Sequence, residues 1–188
     1  MKERSLVIYK PDIVARGLIG EITNRFEKVG FKIVAMKMLQ ADEITAAKHY
    51  EKDDEWLVAV GSKLIKNMNL SQTEDPKVHG QKICDSLAKD ICLYPVIALV
   101  IEGHNAIAKI RKMLGGQSPE ISNPGTIRFD YSSDTFTLAN VSNRPVITLV
   151  HASDSVENAK REIALWFDKS EIFEWTKPDE VIHFRKNI

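Results

Sequence analysis

Seven side chains in this sequence are of the types that handle phosphate: Lys10, Tyr50, Arg111, Arg128, His151, Ser153 and Glu162. Three cations can neutralise the oxygens of a polyphosphate. An uncharged imidazole with a free ring nitrogen is a nucleophile, and near neutral pH most of an unshifted histidine already has that form. A helix-borne acid that accepts a hydrogen bond from the second ring nitrogen fixes the tautomer and steadies the ring as it turns positive. A serine hydroxyl supplies a secondary donor. Taken singly, each residue has a plainer explanation. Lys10 and Arg111 read as solvated charges, Arg128 as half of a surface ion pair, Tyr50 as an aromatic at the core edge, Glu162 as a helix-face carboxylate and His151 as a surface residue after a strand.

The elements decide whether these residues can meet. Residues 145–150 (PVITLV) form an apolar, β-branched run that predicts a buried strand stopping at His151. Ser153, Asp154 and Ser155 can each cap the helix that follows, with Glu157 three residues after Asp154 as in a capping box. That helix shows Val156, Ala159, Ile163, Ala164, Trp166 and Phe167 on one side, as a core-facing stripe. The imidazole is therefore expected at a strand-to-helix junction, where free backbone N–H groups and the positive end of a helix dipole favour an anion.

Residues 5–9 (SLVIY) predict a strand that leaves Lys10 at its end, because Pro11 forbids further ladder pairing. Residues 17–29 predict an amphipathic helix on Leu18, Ile19, Ile22 and Phe26, closed by Gly30. Residues 31–39 predict a strand whose solvated side carries Lys32 and Lys37. Asp42 caps a short helix through Tyr50, with Lys48 and His49 near the end where positive charge suits the dipole. Residues 51–68 and 81–93 predict two further helices around a polar loop. A buried strand over 95–101 and a helix over 105–114, stopped by Gly115 and Gly116, come next. Residues 117–125 are turn-rich, and 129–143 fit either a hairpin or a long loop. Beyond Phe167 the tail carries Ile172, Phe173, Trp175, Val181, Ile182 and Phe184, so it is expected to pack on the body of the protein.

With the additions removed, the order is strand, helix, strand, strand, helix, strand and a closing helix. That is an α/β (α+β) chain of ferredoxin-like, split βαβ type, an antiparallel sheet covered by helices on one side, with a helical insertion. One domain over residues 1–188 is expected, with insertions at about 53–93 and 131–145 and a C-terminal extension over 168–188.

Composition excludes several classes. Lys plus Arg equals Asp plus Glu at 26 each, so no basic excess argues for nucleic acid or a membrane surface. A basic stripe and an aromatic RNP run are both missing, which argues against an RNA-binding module of the RRM type. Cys84 and Cys92 suit free thiols of a reducing compartment better than a disulfide or a zinc site. The opening is too short for a signal peptide and no run approaches a membrane span, so a cytoplasmic location is expected.

The opening ERSLVIYKPDIVARGLIGEITNRFEKVGFKIVAMKMLQ resembles the amino-terminal region of nucleoside diphosphate kinases. RKMLGG, NPGTIR and HASDSVENAKREIALWF resemble three later signatures of that family, in the same order. The resemblance implies transfer of the terminal phosphate of a nucleoside triphosphate to a diphosphate through a phosphohistidine. It implies that His151 is the nucleophile, in a HASDS version of the usual HGSDS. Lys10, Arg111 and Arg128 match the family's phosphate-contacting cations, and Tyr50 the tyrosine beside the site. Ser153 matches a serine near the reacting phosphate, and Glu162 the glutamate that bonds the catalytic ring. It further implies ping-pong exchange with ATP and other nucleotides, Mg²⁺ carried in on the nucleotide, with Asp154 reaching it through water at most, and assembly into hexamers or tetramers. Thr148 stands where the family usually has asparagine and Gln117 where it has threonine, so sugar and phosphate contacts are expected to differ in detail. Those two changes are also what a nucleotide-binding member with a binding or assembly role would carry. His79 falls near the register of the base-stacking residue.

Overall fold

The computed structural model describes residues 2–178, except 69 and 72, together with residue 180. Among these, four strands form one antiparallel sheet in the order β2-β3-β1-β4. They are β1 (Lys2–Tyr9), β2 (Lys32–Leu39), β3 (Val96–His104) and β4 (Val150–Ala152). β1 lies at the centre because its apolar residues have both parities: Leu6 to Tyr9 are all fully buried, and a strand alternates its side chains between faces.

The expectation of helices on one side is corrected by that same double burial. Val7 and Tyr9 pack with Ile13, Ile22, Phe26 and Ile110 from α1 (Pro11–Ala15), α2 (Ile19–Lys28) and α6 (Ala106–Leu114). Leu6 and Ile8 pack with Ala46, Leu57, Ile91 and Trp166 on the opposite face. Those residues come from α3 (Glu43–Tyr50), α4 (Asp54–Asn67), α5 (Pro76–Ile91) and α9 (Val156–Trp166). The polar loop between α4 and α5 is shorter than the sequence suggests, since Asp75 accepts from the Lys77 N–H and Pro76 opens α5. The two helices cross closely at Gly61 and Gly80; a Cβ on Gly61 would stand 1.7 Å from the Pro76 carbonyl oxygen.

Three further expectations are corrected. The strand over 145–150 shrinks to β4, which begins at Val150 and contains His151. Its expected partners are used otherwise. The Ile147 N–H donates to Asp134, Leu149 takes φ 63°, and the carbonyls of Thr148 and Val150 accept from Arg128. Residues 129–143 form neither hairpin nor long loop but contain the end of α7 (Ile127–Tyr131) and all of α8 (Phe136–Val141), with Thr135 capping α8. Finally, Ser155 caps α9 by accepting from the Asn158 N–H, while Asp154 accepts from the Asn158 side chain, so no capping box with Glu157 forms.

Lys32 is not on a solvated side. It is 5 % exposed and pairs with Glu102 at 2.7 Å and Glu180 at 3.0 Å. The cover is the tail: the Phe173 N–H donates to Val34 O at 2.8 Å, and Trp175 Nε1 donates to Ile33 O at 3.3 Å. β2 is an edge strand, and the ladder to β3 shifts register between Ile33 and Ala35, where the tail docks. Val181, Ile182 and Phe184, also expected to pack, lie outside the described residues.

Candidate active site

His151 enters the site from β4, opposite Ile8 of β1. Its Nε2 lies 3.2 Å from Glu162 Oε2. A carboxylate can only accept, so Nε2 carries the proton and Nδ1 presents its lone pair. The Ser153 hydroxyl donates to the same Glu162 oxygen at 2.6 Å and accepts from the Leu6 N–H at 3.1 Å, which ties the acid to the central strand. Glu162 is buried on the inner side of α9. Burial alone would raise its pKa, but the hydrogen bonds from His151 and Ser153 and the nearby Arg161 hold it below the ordinary value.

Lys10 follows β1, and its N–H donates to the Leu149 carbonyl at 2.9 Å, two residues before the histidine. The side chain is 4 % exposed. Burial lowers its pKa and Arg128 adds to the effect, while Asp90 and Asp12 oppose it. Tyr50, at the end of α3, is buried, and its hydroxyl has no hydrogen-bond partner among the described residues. Burial, followed by Asp90 and Glu162, pushes its pKa up.

Arg128 is not the surface ion pair that one plain reading suggested. Its Nε donates to Thr148 O at 3.1 Å, one terminal nitrogen to Val150 O at 3.0 Å, and the other to the carbonyls of Gly115 and Gly116. The guanidinium thus ties the segment before His151 to the C-terminal end of α6. Burial, with Arg111 nearby, pushes its pKa down to about 10. Arg111 and Gln117 are exposed at that same end of α6, and Thr148 is half-buried. Asp154 is exposed; burial opposes ionisation, but Asn158, Lys52 and Arg111 hold its pKa low.

His151, Ser153 and Glu162 are thus in direct contact. Lys10, Thr148 and Arg128 are joined to them through the backbone of 148–150, and Arg111 reaches them through its field on Arg128. His79 is turned to Glu74, in the turn that precedes its own helix.

Sequence reasoning missed two members. Asp90, on α5, faces the buried Lys10 and Tyr50, and burial raises its pKa while Lys10 lowers it. His49, expected to be charged at the end of α3, is 1 % exposed, with its ring centroid 4.3 Å from that of His151 at 78°. Burial, then His151, Arg161, Lys52 and Lys10, keep its pKa well below 6.5. Its place next to Tyr50, on a helix with an apolar Ala46 face, was the available signal. No periodicity could distinguish a charged cap from a buried ring.

The family model described as nucleoside diphosphate kinase matches residues 3–72 and 67–172. A nucleoside diphosphate kinase of Pyrobaculum aerophilum is 44 % identical over 180 residues, covering 92 % of this chain and 98 % of the relative. The crystal structure of an NDP kinase from that organism superposes with a TM-score of 0.87 at 41 % identity, over 93 % of this chain and 100 % of its own. A Borrelia burgdorferi nucleoside-diphosphate kinase, solved as a transition-state mimic with vanadate and ADP, gives 0.79 at 36 % identity over 96 % of each chain.

Proposed function

The chain belongs to the nucleoside diphosphate kinase family and is a phosphotransferase, and from that premise we propose that Nδ1 of His151 is the atom that carries the phosphoryl group. The Nδ1 lone pair attacks the terminal phosphorus of a nucleoside triphosphate. The N–P bond forms as the bridging O–P bond breaks, and the electron pair leaves with the diphosphate. A second diphosphate then takes the group by the reverse step, which makes the exchange ping-pong. Glu162 holds the ring through Nε2 and offsets the positive charge that develops on it, and Ser153 steadies Glu162. Lys10, Arg111 and Arg128 neutralise the phosphate oxygens, Tyr50 donates from its unpartnered hydroxyl, and Gln117 and Thr148 line the nucleotide path.

The observation that carries this reading is the single occupied nitrogen of His151: Nε2 is committed to Glu162 at 3.2 Å, beside a buried lysine. Incubation with terminally labelled ATP is expected to leave an acid-labile label on the protein that GDP removes. Label that persists in His151→Ala would overturn the assignment.

Mg²⁺ prefers oxygen ligands and commonly rides on phosphates. The one cluster of three metal-binding side-chain types among the described residues, His49, His151 and Glu162, offers two nitrogens and one carboxylate, a set suited to a softer ion. The nucleotide itself would therefore hold Mg²⁺, with Asp154 placed to reach it through water, and the ion would neutralise phosphate charge. We further propose one domain bearing α4, α5, the 131–145 segment and the tail as additions, in a cytoplasmic protein. No helix among the described residues is long and apolar enough to cross a membrane. Exposed Met36, Met38, Ile44, Leu93 and Tyr94 support a homo-oligomer. Light scattering is expected to give a hexamer or tetramer, and a monomeric mass would rule that out.

A further inference from the structure

The last turn of α3 presents two buried polar atoms without a partner among the described residues, Nε2 of His49 and the hydroxyl of Tyr50. They stand on adjacent residues, with ring centroids 4.8 Å apart. His49 Nδ1 lies 3.2 Å from Trp166 Nε1. An indole nitrogen can only donate, so Nδ1 must present its lone pair, and an uncharged ring must carry its proton on Nε2. The ring is 1 % exposed. The titratable groups that face it are Lys10 just after β1, Tyr50 beside it, Lys52 after α3, His151 on β4, and Arg161 and Glu162 on α9. The cations among them oppose a positive charge on His49, and Trp166 fixes which nitrogen holds the proton.

A ring nitrogen of His49, one of His151 and an oxygen of Glu162 lie within 4.8 Å of one another, the spacing of a metal site. The Trp166 bond argues against that use. With Nδ1 occupied and Nε2 protonated, His49 has no lone pair left for an ion. What remains is a donor that is buried, uncharged, unpartnered and next to His151. A buried donor without an acceptor is costly, and its retention is explained if an acceptor arrives during turnover.

We propose that His49 is a further catalytic residue, whose Nε2–H donates to an oxygen of the phosphoryl group while that group is attached to His151. The inference rests on the assignment of His151 as the phosphorylated residue. An uncharged donor suits this place, because the imidazole of His151 itself turns positive as the N–P bond forms. A second cation 4.3 Å away would oppose that step, whereas a neutral N–H stabilises the incoming oxygens without adding charge.

The test uses the full-length protein labelled with ¹⁵N. Long-range ¹H–¹⁵N spectra are expected to show His49 in the Nε2–H form, and its Nε2 proton should move downfield when ATP phosphorylates His151. Glutamine places an amide N–H near the Nε2 position, whereas asparagine places only a carbonyl near Nδ1. His49→Asn is therefore expected to slow phosphorylation of His151 about tenfold with the KM for ATP within about twofold, and His49→Gln to recover most of the loss. An Nδ1–H tautomer, an unmoved Nε2 proton, equal losses in both variants, or one Zn²⁺ retained per chain through His49 would each overturn the proposal. Wild-type protein that takes no label from ATP would instead refute the assignment of His151.

Discussion

Glu162 is the residue on which the chemistry of His151 turns, since it holds one nitrogen of the ring and thereby frees the other. Removing it leaves the Ser153 hydroxyl and the His151 N–H without their shared acceptor. Glu162→Ala is expected to slow phosphoryl transfer by roughly ten- to a hundredfold, the usual cost of losing such a supporting partner. Nucleotide affinity should stay within about twofold, because Glu162 touches the ring and not the phosphates. Stopped-flow measurement of the first half-reaction, set beside nucleotide binding by calorimetry, checks both parts. At this scale the sequence was legible in part: His151, Ser153 and Glu162, singled out by type and spacing, are in direct contact, and Lys10 and Arg128 bond the backbone just before the histidine. His49 was not legible, because its burial comes from α9 and β4, which arrive more than a hundred positions later.

The segment before β4 is held open by side chains instead of by a ladder, and Asp134 is its anchor. Its buried carboxylate accepts two bonds from Arg144, at 2.7 and 2.9 Å, and one from the Ile147 N–H at 2.7 Å. Asp134→Ala would take from Arg144 its carboxylate partner and leave the Ile147 N–H without its acceptor, and is expected to cost about 2–3 kcal/mol. Thermal unfolding should show it as a drop of roughly 4–12 °C for a chain of this size. The Arg144 hydrogen bond holds the Asp134 pKa below 3.8. A depressed acid stabilises the fold fully above its ordinary pKa and loses that contribution as pH falls through its lower folded value. The gap between wild type and Asp134→Ala should accordingly be constant at neutral pH and close below pH 3.8. An apolar, β-branched run such as PVITLV reads as strand by local preference, and only distant Asp134 and Arg128 explain why most of it is not.

Over the whole molecule, the tail closes the open side of β2. Trp175 bonds Ile33 O, and its carbonyl accepts from the buried Lys32 at 2.6 Å. Trp175→Ala is expected to cost about 1–2 kcal/mol through lost burial and one hydrogen bond. It should also raise the tendency to aggregate, since an uncovered edge strand is a template for pairing. Urea unfolding and concentration-dependent light scattering would check the two effects, and an unchanged midpoint would show that the tail contributes nothing to stability. The element order and the antiparallel sheet follow from apolar periodicity and turn residues, which are local properties of the chain. The same periodicity left both faces of β1 apolar, a sign that helices cover both.

The sequence by itself determined the kinds of residue available for phosphate chemistry, the order of strands and helices, and the family to which their motifs belong. Only the tertiary structure decided which nitrogen of His151 faces Glu162, that Arg128 also ties together the backbone carbonyls before His151, and that His49 is a buried neighbour of that ring. Those properties depend on what stands within a few ångströms, and such neighbours are set by folding between distant segments, not by adjacency along the chain.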